Sequence, residues 1–99
     1  MTGNAAPLDR VHHVKCWRVF FDDMQTGRKS FDVRRDDRDY QIGDIMNFKE
    51  WAPAETRYTG RETRKLITYI VHAGEGSFAP LAGLKPGFCV LGLVEVPEV

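Results

Sequence analysis

The sequence predicts a mostly β (α+β) fold, a small barrel with one or two short helices. Short stretches in which polar and apolar residues alternate recur along the chain, as is typical of half-buried strands. Only one stretch has the apolar spacing of a helix, so the chain lacks the helix–strand rhythm of a parallel doubly wound sheet. A closed or partly closed barrel is favoured because closure hides the strand edges that a lone sheet exposes.

Length and composition indicate one soluble domain. The chain has 99 residues, of which 42% are hydrophobic and 28% are charged, and this supports a single modest core. We expect residues 1–10 to be a disordered leader and residues 11–99 to form the domain. The formal net charge is zero, so overall charge does not indicate nucleic-acid binding. Residues 27–38 and 57–65 are locally basic, however, and can present a positive face.

The first two elements are a strand and a helix. Residues 11–16 alternate weakly and are predicted to form the first strand. Residues 17–26 are predicted to form an amphipathic helix whose apolar side chains enter the core. The apolar positions of this helix, spaced i, i+3, i+4 and i+7, are Trp17, Phe20, Phe21 and Met24. Gly27 follows where a helix usually ends, because glycine adopts the left-handed conformation easily.

The second predicted strand, over residues 30–34, is rich in charge. Successive side chains of a strand point to opposite faces, so Phe31 and Val33 are expected to face the core. The other face carries Ser30, Asp32 and Arg34. Next to a glycine turn, such a face is either a binding surface for a phosphate or nucleobase, or a solvated set of ion pairs. Alternation alone leaves both interpretations open.

The rest of the chain is predicted as strands separated by polar or glycine-rich segments. These are a polar loop over residues 35–43, a third strand over 45–51, a hairpin connection over 51–60, a long fourth strand over 62–72, an irregular loop over 73–87 and a last strand over 88–96. Cys16 and Cys89 lie in strands without metal-ligand spacing, which favours buried thiols in a reduced compartment over a disulfide. We therefore expect a cytoplasmic protein without metal, cofactor or membrane span.

The order of several sequence blocks resembles a known family. Gly27, Lys29, Asp32 and Arg34 match the G-x-K-x-x-E-x-R signature of ASCH domains, in the PUA-like β-barrel superfamily, with Asp32 in place of the glutamate. The blocks HHVKCW, TGRKSFDVR, DRDYQIGDI, YTGRE and GFCVLGL, in this order, resemble the DUF3850 branch of short, mostly phage and bacterial proteins. This resemblance covers about residues 11–96.

The resemblance implies a small PUA-like (ASCH) barrel that binds RNA or a nucleotide-like small molecule. In PUA-like folds the usual ligand site is the cleft between the helix and the strand and loop that follow it. Lys29 and Arg34 are then candidates for phosphate contacts. The full set of expected ligand-binding residues is Arg28, Lys29, Ser30, Asp32, Arg34, Arg38, Tyr40 and Arg61. Candidates for base stacking are Trp17, Tyr40, Trp51 and Tyr58, with Tyr40 expected to be the most exposed.

Two other functions stay open. One is a small hydrolase of RNA or of a modified nucleoside such as N4-acetylcytidine, with Lys29 and Asp32 as catalytic residues. The related hydrolases have a threonine three residues after the lysine, where this chain has Asp32, and that departure weighs against deacylation. The other is a phage-encoded module that binds a host protein. A purely structural ion network of Lys29, Asp32 and Arg34 is the non-functional alternative.

Overall fold

The computed structural model describes residues 10–73 and 83–97 and confirms the mostly β fold. The described part contains one helix, α1, and five strands, with the bounds β1 Val11–Trp17, α1 Arg18–Thr26, β2 Phe31–Arg35, β3 Ile45–Ala52, β4 Arg57–His72 and β5 Phe88–Glu95. Residues 1–9 of the expected leader and residues 74–82 of the expected irregular loop lie outside the described residues. Arg10, the last residue of that leader, donates two hydrogen bonds to the Asp44 carboxylate.

The strands form one sheet in the order β1-β3-β4-β5-β2, in which β1 and β3 are parallel and the other pairs antiparallel. Its two edges, β1 and β2, come together. Arg34 of β2 donates to the Lys15 carbonyl at 3.0 Å, and Arg38 donates to the His13 carbonyl at 3.1 Å. The sheet is therefore a curled half-barrel. We call the line where β1 meets β2 and the following loop the seam; its contacts include these two side-chain hydrogen bonds.

Helix α1 covers one side of the core. Phe21 and Met24 are fully buried among apolar side chains of the sheet. Gly27 ends the helix with φ 88°, and its amide donates to the Met24 carbonyl, as the sequence predicts. No helix in the described ranges has the length and apolar character needed to cross a membrane. The buried cluster that α1 and the strands enclose comprises Val14, Cys16, Phe21, Met24, Tyr40, Met46, Phe48, Ile67, Cys89, Leu91 and Leu93.

Half of the predicted helical stripe is not in the core. Trp17 is 52% exposed and Phe20 is 50% exposed. Trp17 is the last residue of β1, so its side chain follows the strand alternation and points to the outer face of the sheet. With only nine residues, α1 rests on the sheet through the narrow stripe that Phe21 and Met24 provide.

The prediction for the faces of β2 is wrong. Phe31 and Val33 are each 47% exposed, whereas Asp32 is only 9% exposed and faces the interior. The polar face can turn inward because Lys29 and Arg34 form ion pairs with the Asp32 carboxylate, which offsets the cost of removing it from water.

Strand β4 begins at Arg57, five residues before the predicted start, and a bulge explains the difference. Lys49 pairs with Glu62 while Trp51 pairs with Tyr58, so β4 holds two extra residues at this point. The bulge contains Gly60, whose φ of 98° is in the left-handed region. This glycine was predicted to belong to a hairpin connection, but the turn itself spans only residues 53–56.

Replacing Gly60 with alanine is expected to lower the free energy of unfolding by about 1–2 kcal/mol. No atom lies within 4 Å of a Cβ added at this position, so the cost comes from the positive φ alone. Urea unfolding measures the effect, with Gly60→Asn as the matched variant because asparagine tolerates the left-handed region better. Equal stability of the alanine variant and the wild type would contradict this explanation of the bulge.

Candidate functional site

A cleft opens at the seam, beside the start of α1, with a volume of about 160 Å³. It lies between the start of α1 and β2, and Lys29, from the turn that joins the end of α1 to β2, also lines it. We call it the seam cleft; its walls come from β1, α1, β2 and β3, and its lining residues are Lys15, Cys16, Trp17, Phe20, Lys29, Asp32, Val33, Arg34 and Phe48.

Three residues of the predicted signature converge in this cleft. The Asp32 carboxylate lies between two cations: Oδ2 accepts from Arg34 Nε at 2.6 Å, and Oδ1 is 3.4 Å from Lys29 Nζ. All three side chains are largely buried but retain some exposure, from 12% for Asp32 to 23% for Arg34. The ion network that the sequence offered as one alternative is therefore present, and it lines an open cleft.

The turn after α1 places Lys29 at the mouth of the cleft. Its backbone amide donates to the Asp23 carbonyl at 2.9 Å, which fixes the chain between Gly27 and β2. The ammonium donates to the Phe31 carbonyl at 2.9 Å and lies 4.8 Å from the centre of the Phe31 ring and 5.5 Å from that of Phe20. These contacts hold a positive charge at the cleft mouth between two half-exposed rings.

Arg34 and Tyr40 are occupied within the protein. The Arg34 guanidinium bonds both Asp32 and the Lys15 carbonyl, so it shapes the wall of the cleft and closes the seam. Tyr40 was predicted to be exposed, but it is 2% exposed, and its ring packs edge-on against His12 at 4.8 Å. Burial raises the pKa of the Tyr40 phenol, an effect that the nearby Arg34 charge opposes. Its hydroxyl has no hydrogen-bond partner among the described residues.

The other predicted ligand residues lie outside the lining. Arg28 is largely exposed, with Nε 3.7 Å from an Asp23 carboxylate oxygen, while Ser30 lines a neighbouring cleft with Lys65. Arg38 bonds the His13 carbonyl at the seam. The guanidinium of Arg61 is taken up by Glu50 and Asp22 in a separate ion network. The structure thus does not bring Arg61 to the seam cleft.

Sequence reasoning missed Lys15 and Phe20 as cleft residues, and treated Cys16 only as a buried thiol. Lys15 and Trp17 stand two apart on an edge strand, and that spacing was the signal for a shared exposed face.

Burial raises the pKa of the Cys16 thiol to about 11, and the nearby Asp32 carboxylate acts in the same direction. The thiol is therefore protonated at neutral pH and is a poor nucleophile. Within residues 10–73 and 83–97, no group of three or more His, Cys, Asp or Glu side chains is placed to hold a metal ion.

Comparison with known proteins identifies the family. The model of the domain of unknown function DUF3850 matches residues 11–93. The chain belongs to the DUF3850 family. The chain is also 34% identical over 61 residues to an uncharacterized 12.9 kDa protein in the GpA 3′ region of Escherichia phage P2. The match covers 62% of this chain and 54% of the phage protein, so the chain spans about half the length of that relative.

Proposed function

We propose that this DUF3850 protein binds RNA or a nucleotide-like molecule in the seam cleft. The observation that carries the proposal is the meeting of three kinds of group there. Lys29 supplies a positive charge for a phosphate, Asp32 supplies carboxylate oxygens for the N–H groups of a base, and Trp17 and Phe20 supply half-exposed rings. These groups complement the phosphate, the hydrogen-bonding edge and the flat face of a nucleotide.

The remaining capacity of the Asp32 carboxylate supports this role. A carboxylate has about four lone-pair positions, and here one short hydrogen bond to Arg34 and one longer contact to Lys29 are made. An amino group of a base can therefore add a hydrogen bond without displacing Arg34. The cleft volume of about 160 Å³ is below the roughly 300–1,000 Å³ of sites that enclose a whole drug-sized ligand. Its size suits one ring or one phosphate of a larger ligand.

The sequence resemblance to ASCH domains of the PUA-like superfamily supports the same location. The cleft between the helix and the following strand is the usual ligand site in those folds, and Lys29, Asp32 and Arg34 occupy the matching signature positions. Because Asp32 is engaged by two cations, its contacts favour a binding role over the hydrolysis of a modified nucleoside.

Replacing Lys29 with alanine is expected to weaken binding of single-stranded RNA about tenfold, measured by fluorescence anisotropy at low salt. The loss of one phosphate contact reduces the slope of log affinity against log salt by about 0.7 for a single strand. Arg34 still pairs with Asp32 in this variant, so the fold is retained. The matched control is Lys85→Ala, which removes an exposed lysine outside the cleft lining.

Two results would overturn the proposal. One is the absence of binding to nucleotides and to any single-stranded or structured RNA at low salt. The other is binding that Lys29→Ala and Lys85→Ala weaken equally, because the cleft would then make no specific contact. Incubation with N4-acetylcytidine is run alongside, and product that forms with the wild type but not with Lys29→Ala would favour the hydrolase instead.

A further inference from the structure

The outer face of β1, β3 and β4 is organised in rows of residues that are paired across the three strands. Residues opposite one another in neighbouring strands share a face, so the strand register defines these rows. At one end lies an aromatic row, and next to it a charged row. The two rows are Trp17, Trp51 and Tyr58, and then Lys15, Lys49 and Glu62. Neither row is a pattern that the sequence shows, because each is assembled from three separate strands.

The aromatic row is accessible to solvent. Trp17 is 52% exposed and Tyr58 is 44% exposed, and Trp51 between them is partly exposed. Trp51 and Tyr58 pack edge to face, with ring centres 4.9 Å apart. The bulge at Gly60 makes this contact possible, because it brings Tyr58 opposite Trp51. Trp17 also lines the seam cleft, so the row continues directly from it.

Positive charges lie on these rings. Lys15 Nζ is 3.9 Å from the centre of the Trp51 ring, and Lys49 Nζ is 5.0 Å from that of Tyr58. The next paired row is His13, Asn47 and Arg64, so the six positions of these two rows carry three lysine or arginine cations against the single acid Glu62. Rings interleaved with cations complement a flexible polyanion that presents flat bases.

We propose that the aromatic row binds the nucleotides that adjoin the one in the seam cleft, so that the natural ligand is single-stranded nucleic acid. This inference rests on the proposed function and extends it. The cleft, at about 160 Å³, encloses only part of a nucleotide, and the exposed rings begin at Trp17, which lines it. Bases stack on Trp17 and Tyr58, while phosphates pair with Lys15 and Lys49.

The cation–π contacts do not prevent stacking. A cation over an exposed ring contributes less than the stacking of a base on that ring. A phosphate that draws the Lys15 ammonium off Trp51 replaces the contact it breaks with an ion pair. In the unbound protein, Lys15 and Lys49 therefore hold their positive charges next to the surface on which the nucleic acid is proposed to bind.

The test compares mononucleotides with oligonucleotides on the full chain. Uridine monophosphate, oligouridylates of three and six nucleotides and the matching oligothymidylates are titrated, with binding read from tryptophan fluorescence. Affinity is expected to rise with length beyond one nucleotide. Tyr58→Leu is expected to weaken the hexamer about 5- to 100-fold and to leave the monophosphate unaffected. Tyr69→Leu, at an exposed tyrosine of the same strand outside the row, is the matched control. Comparing the affinity for each oligouridylate with that for the oligothymidylate of the same length shows whether the protein prefers RNA or DNA.

The outcomes separate the two proposals. Equal affinity for monophosphate and hexamer, with no effect of Tyr58→Leu, overturns the proposal that the aromatic row binds nucleotides but leaves the proposal for the seam cleft standing. Hexamer binding that depends on Tyr58 but not on Lys29 supports the row and overturns the cleft assignment. No binding to any of these probes overturns both. Self-association that Tyr58→Leu abolishes, seen by sedimentation without nucleic acid, would also overturn the row as a nucleic-acid surface. Lys49→Gln provides a second variant and is expected to lower the salt slope for the hexamer by about 0.7.

Discussion

Replacing Asp32 with asparagine is expected to lower the free energy of unfolding by about 3 kcal/mol. The substitution keeps the shape of the side chain but leaves Arg34 and Lys29, both largely buried, without their counter-charge. Removing one member of a buried ion network lowers the free energy of unfolding by more than the net contribution of the ion pair, because the charges that remain stay out of water. For a domain of this size, the melting temperature should fall by about 10–20 °C.

Thermal and urea unfolding measure this effect, and Asp37→Asn is the matched control. Asp37 is exposed in the loop after β2, and its carboxylate forms no ion pair among the described residues. A melting temperature for Asp32→Asn within about 2 °C of that of the control would show that the network contributes little. A double-mutant cycle with Arg34→Ala then separates the Asp32 pair from the bond that Arg34 makes to the Lys15 carbonyl.

Glu50 is expected to control the acid stability of the fold. Its side chain is 2% exposed, and it accepts hydrogen bonds from Thr59 and from two nitrogens of Arg61. The hydrogen bonds of Arg61, followed by that of Thr59, lower the pKa of Glu50 to about 2 from the ordinary 4.5. A carboxylate with a lowered pKa stabilises the fold above its unfolded pKa, and this contribution is lost as the pH falls through its folded pKa. The stability of the wild type should therefore decline between about pH 5 and pH 2.

Glu50→Gln removes this pH dependence. At pH 7 the variant should melt more than about 4 °C below the wild type, because Arg61 loses its buried partner. The difference should shrink as the pH approaches 2, where Glu50 of the wild type becomes protonated. Thermal unfolding across this pH range measures the difference in melting temperature, with Glu55→Gln, at a half-exposed glutamate, as control. Parallel stability curves for Glu50→Gln and the wild type would contradict the assignment.

The sequence was sufficient for the order of the elements, because each has its own local signal. Alternation marked the strands, and Gly27 marked the end of α1. It was not sufficient for the orientation of β2. Alternation divides a strand into two faces but does not decide which face is buried. Here the face with Asp32 is buried, because the carboxylate is held in an ion network, and the face with Phe31 and Val33 is half-exposed.

The candidate site was predictable only in part for a related reason. Lys29, Asp32 and Arg34 are close in sequence, and local spacing sufficed to group them. Lys15 joins them through a contact that spans 19 residues, and no local pattern reports it. Tyr40 lies in a polar stretch, yet its ring is buried against His12, so composition predicted the wrong exposure. Gly60 within a strand pattern was a usable signal for a bulge, but it resembled the end of a turn.

Closure of the seam by arginine side chains affects how the fold opens. Separating β1 from β2 breaks the bonds of Arg34 and Arg38 to backbone carbonyls, while every strand ladder remains intact. This partial opening therefore needs less free energy than global unfolding, and it exposes the same groups that line the cleft. A molecule bound in the cleft contacts both β1 and β2 and therefore stabilises the closed arrangement of these two edges. Occupancy of the cleft and local stability of the half-barrel at the seam are in this way thermodynamically linked.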